Sequence, residues 1–325
     1  PKTTTGKDGK WKLKLKTPKA GGPYDITITG NNTVKLQNVL IGEVWICSGQ
    51  SNMQWSMTNT ENAEKDIAAA NKPNIRLFTV TREIADQPKD DCTGNWSQCS
   101  PETVAQFSAV AYFFGKHLND ELNIPIGLVN TSWGGTLAEA WTRKEVLEKD
   151  KDFLPILQRH EQMVANLPNA QKKYKKSIKN WKIKAEKAKK ESKKPPRQPR
   201  KPSKRHQNSP SSLYNAMIAP IIPYAIKGAI WYQCESNTPR AYQYRKLFPA
   251  MIKNWRKDWH QGDFPFYYVQ IAPYKYGERG HSQELREAQR LTLSLKNTGM
   301  AVTMDIGNPG NIHPKNKLDV GKRLA

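Results

Sequence analysis

Cysteine is scarce in this chain of 325 residues, which carries only Cys47, Cys92, Cys99 and Cys234. So few thiols exclude a miniprotein held by disulfides, and without a C-x-x-C pair or a histidine at ligand spacing they argue against a zinc module. Cys92 and Cys99 flank a Thr-Gly-Asn-Trp turn, a spacing that allows a local disulfide in an oxidising compartment; the alternative is two unpaired thiols. Long apolar runs are missing too. None approaches the roughly 18 residues of a transmembrane helix, and Pro1 opens a polar, lysine-rich stretch with no signal-peptide apolar region.

Acids are few: 29 Asp and Glu stand against 52 Lys and Arg, for a net charge of +23. Such an excess points to a nucleic-acid partner only if it is spread over the fold. It is not. Between Gln171 and Arg205, 17 Lys or Arg face two acids, Glu186 and Glu191, so +15 belongs to this segment and +8 to the rest of the chain. The segment offers only Tyr174 and Trp181 for base stacking, so a solvated helix and strap is the expectation, with a polyanion binder as the alternative.

The remainder reads as α/β. Alternation of Trp11, Leu13 and Leu15, then Tyr24, Ile26 and Ile28, a Gly30-Asn31-Asn32 turn, and Val34 and Leu36 predicts a β meander. Its first strand lies so near residue 1 that the chain is expected to be cut from something longer. Val39 to Cys47 reads as a central, parallel-type strand stopped by Ser48-Gly49. Ile75 to Val80 is a second strand. A helix opened by Ser100-Pro101 follows, with Val104, Phe107, Val110, Ala111, Phe114, Leu118 and Leu122 on one face, and then a buried strand over Pro125 to Asn130, which completes a βαβ unit. Ala229 to Tyr232, Phe266 to Ile271 and Met300 to Ile306 are three more strands, with a helix around Tyr242 to Trp259. Lys144 to Lys194 reads as one helix and Pro195 to Pro202 as an extended strap, so residues 144–212 form an insertion in a body built on a parallel sheet.

Ligands of parallel α/β sheets lie beyond the carboxyl ends of the strands. Four predicted strand ends deliver Ser48-Gly49-Gln50-Ser51-Asn52-Met53, Trp133-Gly134-Gly135-Thr136, Gln233-Cys234-Glu235-Ser236-Asn237 and Ile312-His313-Pro314. A hydroxyl, an imidazole and N–H donors are the parts of an acyl-transfer site. Singly, each has a blander reading: Ser51 as a turn serine, His313 as a loop histidine, the glycines as a turn, and Gln233, Glu235 and Asn237 as structural hydrogen-bonders. Their convergence on one rim favours the catalytic one.

These blocks, together with Trp231-Tyr232 and Lys315-Asn316-Lys317, resemble the sialate O-acetylesterase-like family of SGNH hydrolases, from about Trp11 to the last residue. The resemblance implies a flavodoxin-like α/β/α sandwich over 43–325, preceded by a partial β segment over 1–42. It implies hydrolysis of acetyl esters on sugars, such as acetylated sialic acid or acetylated xylan. It implies no cofactor or metal, no nucleic-acid partner, and an extracytoplasmic location with the signal peptide absent from this chain. Ser51 looks like the nucleophile and His313 like the general base. The Ser51 N–H, Gly134 or Gly135, and a side chain among Gln233, Glu235 and Asn237 would form the oxyanion hole, with Gln50 and Asn52 at its edge. Two departures stand out. Cys234 occupies a position where glycine is usual, and Asn311 and Gly310 stand where relatives carry the aspartate that orients the histidine. The third member is then Asp305, a backbone carbonyl, or absent, and a catalytically weak sugar-binding relative is the other reading.

Overall fold

The computed structural model describes residues 1–277 and 280–325. Strands β1 (Gly21–Thr29) and β2 (Thr33–Ile41) pair as an antiparallel hairpin apart from the main sheet. The strand expected around Trp11 to Leu15 does not form. Trp11 is 50% exposed and Leu15 47%, and with no neighbouring strand to cover them their alternation has nothing to act on.

From there the chain enters a seven-stranded sheet. Its strands are β3 (Glu43–Gly49), β4 (Lys72–Thr79), β5 (Trp96–Cys99), β6 (Ile126–Asn130), β7 (Gly228–Tyr232), β8 (Phe266–Val269) and β9 (Thr298–Ala301), in the spatial order β5-β4-β6-β3-β7-β8-β9. All pairings are parallel except that of the edge strand β5 with β4. Because β4 and β6 lie to one side of β3 and β7 to β9 to the other, β3 is the switch point at which a crevice opens beyond the carboxyl ends.

Strand residues alternate between two cores. Ile46, Val129, Ala229, Trp231 and Phe266 pack into one; Trp45, Cys47, Leu128, Ile230 and Tyr232 pack into the other. The helices are α1 (Ser51–Gln54), α2 (Ala63–Ala68), α3 (Pro101–Val104), α4 (Ala109–Leu122), α5 (Lys144–Lys149), α6 (Leu154–Ala165), α7 (Leu167–Lys190), α8 (Ala241–Trp259), α9 (Ser282–Leu291) and α10 (Leu318–Leu324). Those of α4 and α10 cover the second core, and those of α8 and α9 the first, which makes the three-layer α/β/α sandwich.

Several expected elements are cut shorter. The helix after Ser100 is two helices, because the Ser108 side chain accepts from Ala111 N–H and so starts α4 afresh. The single helix over 144–194 is three, since Pro155 and Pro168 occupy first-turn positions of α6 and α7 and cannot lie in a helix interior. Strand β9 stops at Ala301, not Ile306. Leu147, Phe153 and Ile156 tie α5 and α6 to the core, whereas α7 buries no residue. Its half-buried stripe of Tyr174, Ile178, Trp181, Ala185 and Ala188 is followed by the returning strap, whose Pro196 carbonyl accepts from Trp181 Nε1–H at 2.7 Å. The four cysteines are free. Cys99 lies in one core while Cys92 packs against the other, on the opposite face of the sheet, which excludes the local disulfide. No helix among the described residues is long and apolar enough to cross a membrane.

Candidate active site

Strand β3 ends at Gly49, whose φ is 138° and where a Cβ would fall 2.2 Å from the Tyr232 carbonyl oxygen. Only glycine passes so close to β7. The turn is fixed by Gln50 N–H donating to that same carbonyl at 2.9 Å, and Ser51 follows as the first residue of α1. At this position its N–H has no intrahelical partner.

The rim is completed from two other places. After β6, Trp133 N–H donates to the Gly49 carbonyl and brings Gly134 against Ser51: a Cβ on Gly134 would lie 3.3 Å from that of Ser51. After β9, residues 302–317 run back across the rim, held by Lys275 N–H on the Pro309 carbonyl and by His313 N–H on Asn311 Oδ1. His313 Nε2 reaches Ser51 Oγ at 2.8 Å, and its ring stacks on Trp55 with centroids 5.2 Å apart. An imidazole hydrogen-bonded to a hydroxyl at a helix start is an arrangement able to transfer a proton and leave an oxygen nucleophile.

Beneath the pair lies a buried polar group. Asn52 donates to Glu235 Oε1 at 2.8 Å and to the Ile312 carbonyl at 3.0 Å, and its Oδ1 accepts from Lys317 Nζ at 2.6 Å. One amide thus joins the serine helix, the β7 loop and the histidine loop. Lys317 is only 1% exposed, with Nζ over the rings of Trp55 and Tyr232. Burial pushes its ammonium down to about 7, against the pull of Glu235, and burial raises the Glu235 carboxyl. Both shifts favour the neutral forms, as expected where desolvation outweighs mutual attraction. The His313 imidazole is lowered as well, first by burial and then by the charge on Lys317.

Other expected site residues are placed differently. Asp305 is exposed, four residues past the end of β9, and holds Arg323 through two hydrogen bonds of 2.7 and 2.6 Å; the guanidinium draws its carboxyl down to about 2. It is not the partner of His313, and among the described residues none accepts from His313 Nδ1. Gln233 is not free to serve an oxyanion: its Nε2 donates to the Thr136 carbonyl and to Asn237 Oδ1, at 3.0 and 2.8 Å. Asn237 in turn donates to Glu139 at 2.9 Å and accepts from Ala138 N–H, so the two amides brace the Gly134-Gly135 turn from below. The Gly135 carbonyl accepts from Asn208, and Gln50 is buried with its side-chain oxygen unpartnered among the described residues. Cys234 adopts φ 146°, so the glycine-like conformation is present with a side chain attached.

Sequence reasoning passed over Gln54, Trp55 and Glu139, and named Lys317 only as part of the histidine block, with no role. Gln54 Oε1 accepts the Gly134 N–H at 2.7 Å. Trp55 and Lys317 each lie four residues beyond a named site residue, which is the signal that was available.

A nucleophile-type serine at the switch point of a three-layer α/β sandwich, with a histidine delivered from the last loop, defines the class as an α/β protein with a hydrolase-like Ser-His pair. Within that class the chain belongs to the carbohydrate esterase, sialic acid-specific acetylesterase family, whose profile matches residues 41–188 and 202–325. It is 32% identical over 351 aligned positions to the sialate O-acetylesterase of Mus musculus, covering 97% of this chain and 62% of that protein. The sialate O-acetylesterase of Homo sapiens is also 32% identical, over 97% of this chain and 59% of its own length. A crystal structure of a carbohydrate acetylesterase from Xanthomonas citri superposes with a TM-score of 0.77 at 34% identity, covering 98% of this chain and 63% of that one. The chain therefore spans about three fifths of the length of these relatives.

Proposed function

We propose that this protein is a serine esterase that removes O-acetyl groups from sugars. The hydrogen bond from Ser51 Oγ to His313 Nε2, at the crevice of a chain in an acetylesterase family, carries the reading. Ser51 Oγ attacks the acetyl carbonyl carbon while His313 Nε2 takes the hydroxyl proton. The tetrahedral intermediate collapses as His313 returns that proton to the departing sugar oxygen, leaving acetyl-Ser51. Water, deprotonated by His313, then releases acetate and restores the hydroxyl.

The developing oxyanion is served by the Ser51 and Gly134 N–H groups. Gly134 N–H is held by a neutral amide oxygen, that of Gln54, which an oxyanion displaces because charged acceptors bind N–H donors more strongly. With Asp305 engaged by Arg323, the pair works as a dyad: the imidazolium formed during attack has no carboxylate behind it. Acetylated sialic acid and acetylated xylan are the substrate classes to compare, and we place the enzyme outside the cytoplasm.

Acetate release from O-acetylated saccharides by the Ser51→Ala variant tests the assignment. Activity within ~10-fold of the parent would refute the nucleophile. The strained Cys234 conformation favours a second reading, a slow, chiefly sugar-binding relative. A measured turnover indistinguishable from that of Ser51→Ala would support it.

A further inference from the structure

We propose that the basic hairpin formed by α7 and the strap after it docks an anionic polysaccharide, one bearing a carboxylate or sulfate on successive sugars, and presents its acetyl esters to Ser51. The presentation rests on the esterase reading above; the docking does not.

The 24 residues of α7 span roughly 36 Å at the rise of an α-helix. The strap doubles back along it: Pro196 is bonded to Trp181, and further on Lys204 lies close enough to His160 of α6 to lower its imidazole, as His160 lowers that of His206. Two basic stretches are thereby laid side by side. All 17 Lys and Arg of residues 171–205 are exposed. Three have an acidic partner among the described residues, Lys187 and Lys193 on Glu191 and Arg205 on Asp86, which leaves 14 without one. Folding like charges against one another is unfavourable unless an external anion neutralises them, and a row of cations along one element suits a chain whose charges repeat.

The hairpin is not loosely attached. Its strap ends at Gln207 and Asn208, which donate to the carbonyls of Gly134 and Gly135 at 3.2 and 3.0 Å, while Asn208 also accepts from Leu137 N–H. A polymer lying on the cations is led to the turn beside Ser51. Nucleic acid fits less well. Single-stranded nucleic acid is held by stacking on open aromatic faces, and here Tyr174 and Trp181 are half-buried, with the indole N–H already taken by Pro196. The family profile passes over residues 189–201, so seven of the 17 cations lie outside what the family match describes.

The test uses the whole chain and a variant carrying Lys172→Gln, Lys175→Gln, Lys179→Gln and Lys182→Gln, four exposed helix positions where Gln preserves helix formation. Binding of polygalacturonate and of heparin is titrated at low and high salt, with dextran as the neutral control and duplex DNA as the competing class. The parent is expected to bind one or both acidic polysaccharides but not dextran, and to lose them at high salt. The variant should bind at least ~10-fold more weakly and show a matching rise in KM on acetylated polygalacturonate, with kcat/KM on p-nitrophenyl acetate unchanged. A preference for polygalacturonate assigns the carboxylated class and one for heparin the sulfated class. Equal affinity of variant and parent, absence of salt-sensitive binding, or tighter binding to DNA than to either polysaccharide would overturn the proposal. If p-nitrophenyl acetate is not cleaved at all while the variant still loses polyanion affinity, the docking surface stands and the esterase reading falls.

Discussion

Lys317 sits where a charge has the most leverage on His313, buried behind the imidazole and tied to the serine helix through Asn52. Its positive charge lowers the His313 pKa, on top of the lowering by burial. The proposed base is active when neutral, so activity should rise with pH through a midpoint below the ordinary histidine value. Lys317→Met removes the like charge and should move that midpoint upward; an unchanged acidic limb in kcat/KM against pH would count against the coupling. Lys317 also ties stability to pH. Its folded pKa of about 7 lies below its ordinary 10.5. The unfolded chain therefore holds the extra proton between those values, and this group's contribution to stability rises as pH climbs through that window, with the full penalty felt below it. Asp305→Asn should leave kcat nearly unchanged, because the carboxylate faces Arg323 and solvent. At Cys234 the ordinary order of substitutions should invert: the glycine variant should melt above the alanine variant, since at φ 146° a Cβ is strained. Ser51 and His313 were legible because each follows an apolar strand pattern within a recognisable block. Lys317 was legible only as a member of the histidine block, because its role comes from burial against Asn52, 265 positions away, which its spacing from His313 does not describe.

Elements carry a second set of consequences. Helix α10 presses Gly321 onto α4, where a Cβ would meet the Phe114 backbone nitrogen at 2.7 Å. Gly321→Ala should therefore push α10 outward and disturb the loop before it, lowering the melting temperature and kcat together, as thermal unfolding and acetate release on the same sample would show. Gln233→Ala should act mainly on stability, at a cost of about 1–3 kcal/mol for the buried Thr136 carbonyl left without its donor. Denaturant unfolding would measure it. At this scale β4, β6, β7 and β8 were readable from apolar runs with turn residues after them, whereas the run from Val39 to Cys47 is two strands: Val39 to Ile41 end β2, and β3 begins at Glu43 after Gly42, where the chain passes too close to the Pro125 carbonyl for a side chain. Strand β5 escaped, since Trp96-Ser97-Gln98-Cys99 has only four residues and mixed polarity. The break before α4 escaped because Ser108 caps only once the Ala111 N–H is in place, while the apolar spacing runs through it undisturbed.

For the molecule as a whole, the parallel sheet sets a polarity. Every strand that serves the rim exits in the same direction, and the β1-β2 hairpin joins at the opposite end, where β3 begins. The net charge is likewise confined, with most of it on one hairpin, so raising salt should affect polymeric acidic substrates far more than small neutral esters. The two halves of the Ser51-His313 pair lie 262 positions apart. At a synthesis rate of about 5–20 residues per second, the serine is joined to the chain roughly 13 to 52 s before the histidine is. Throughout that time the chain builds the shelf for the proposed nucleophile without the proposed base, and the pair is assembled only when the loop over 302–317 is laid across the finished sheet.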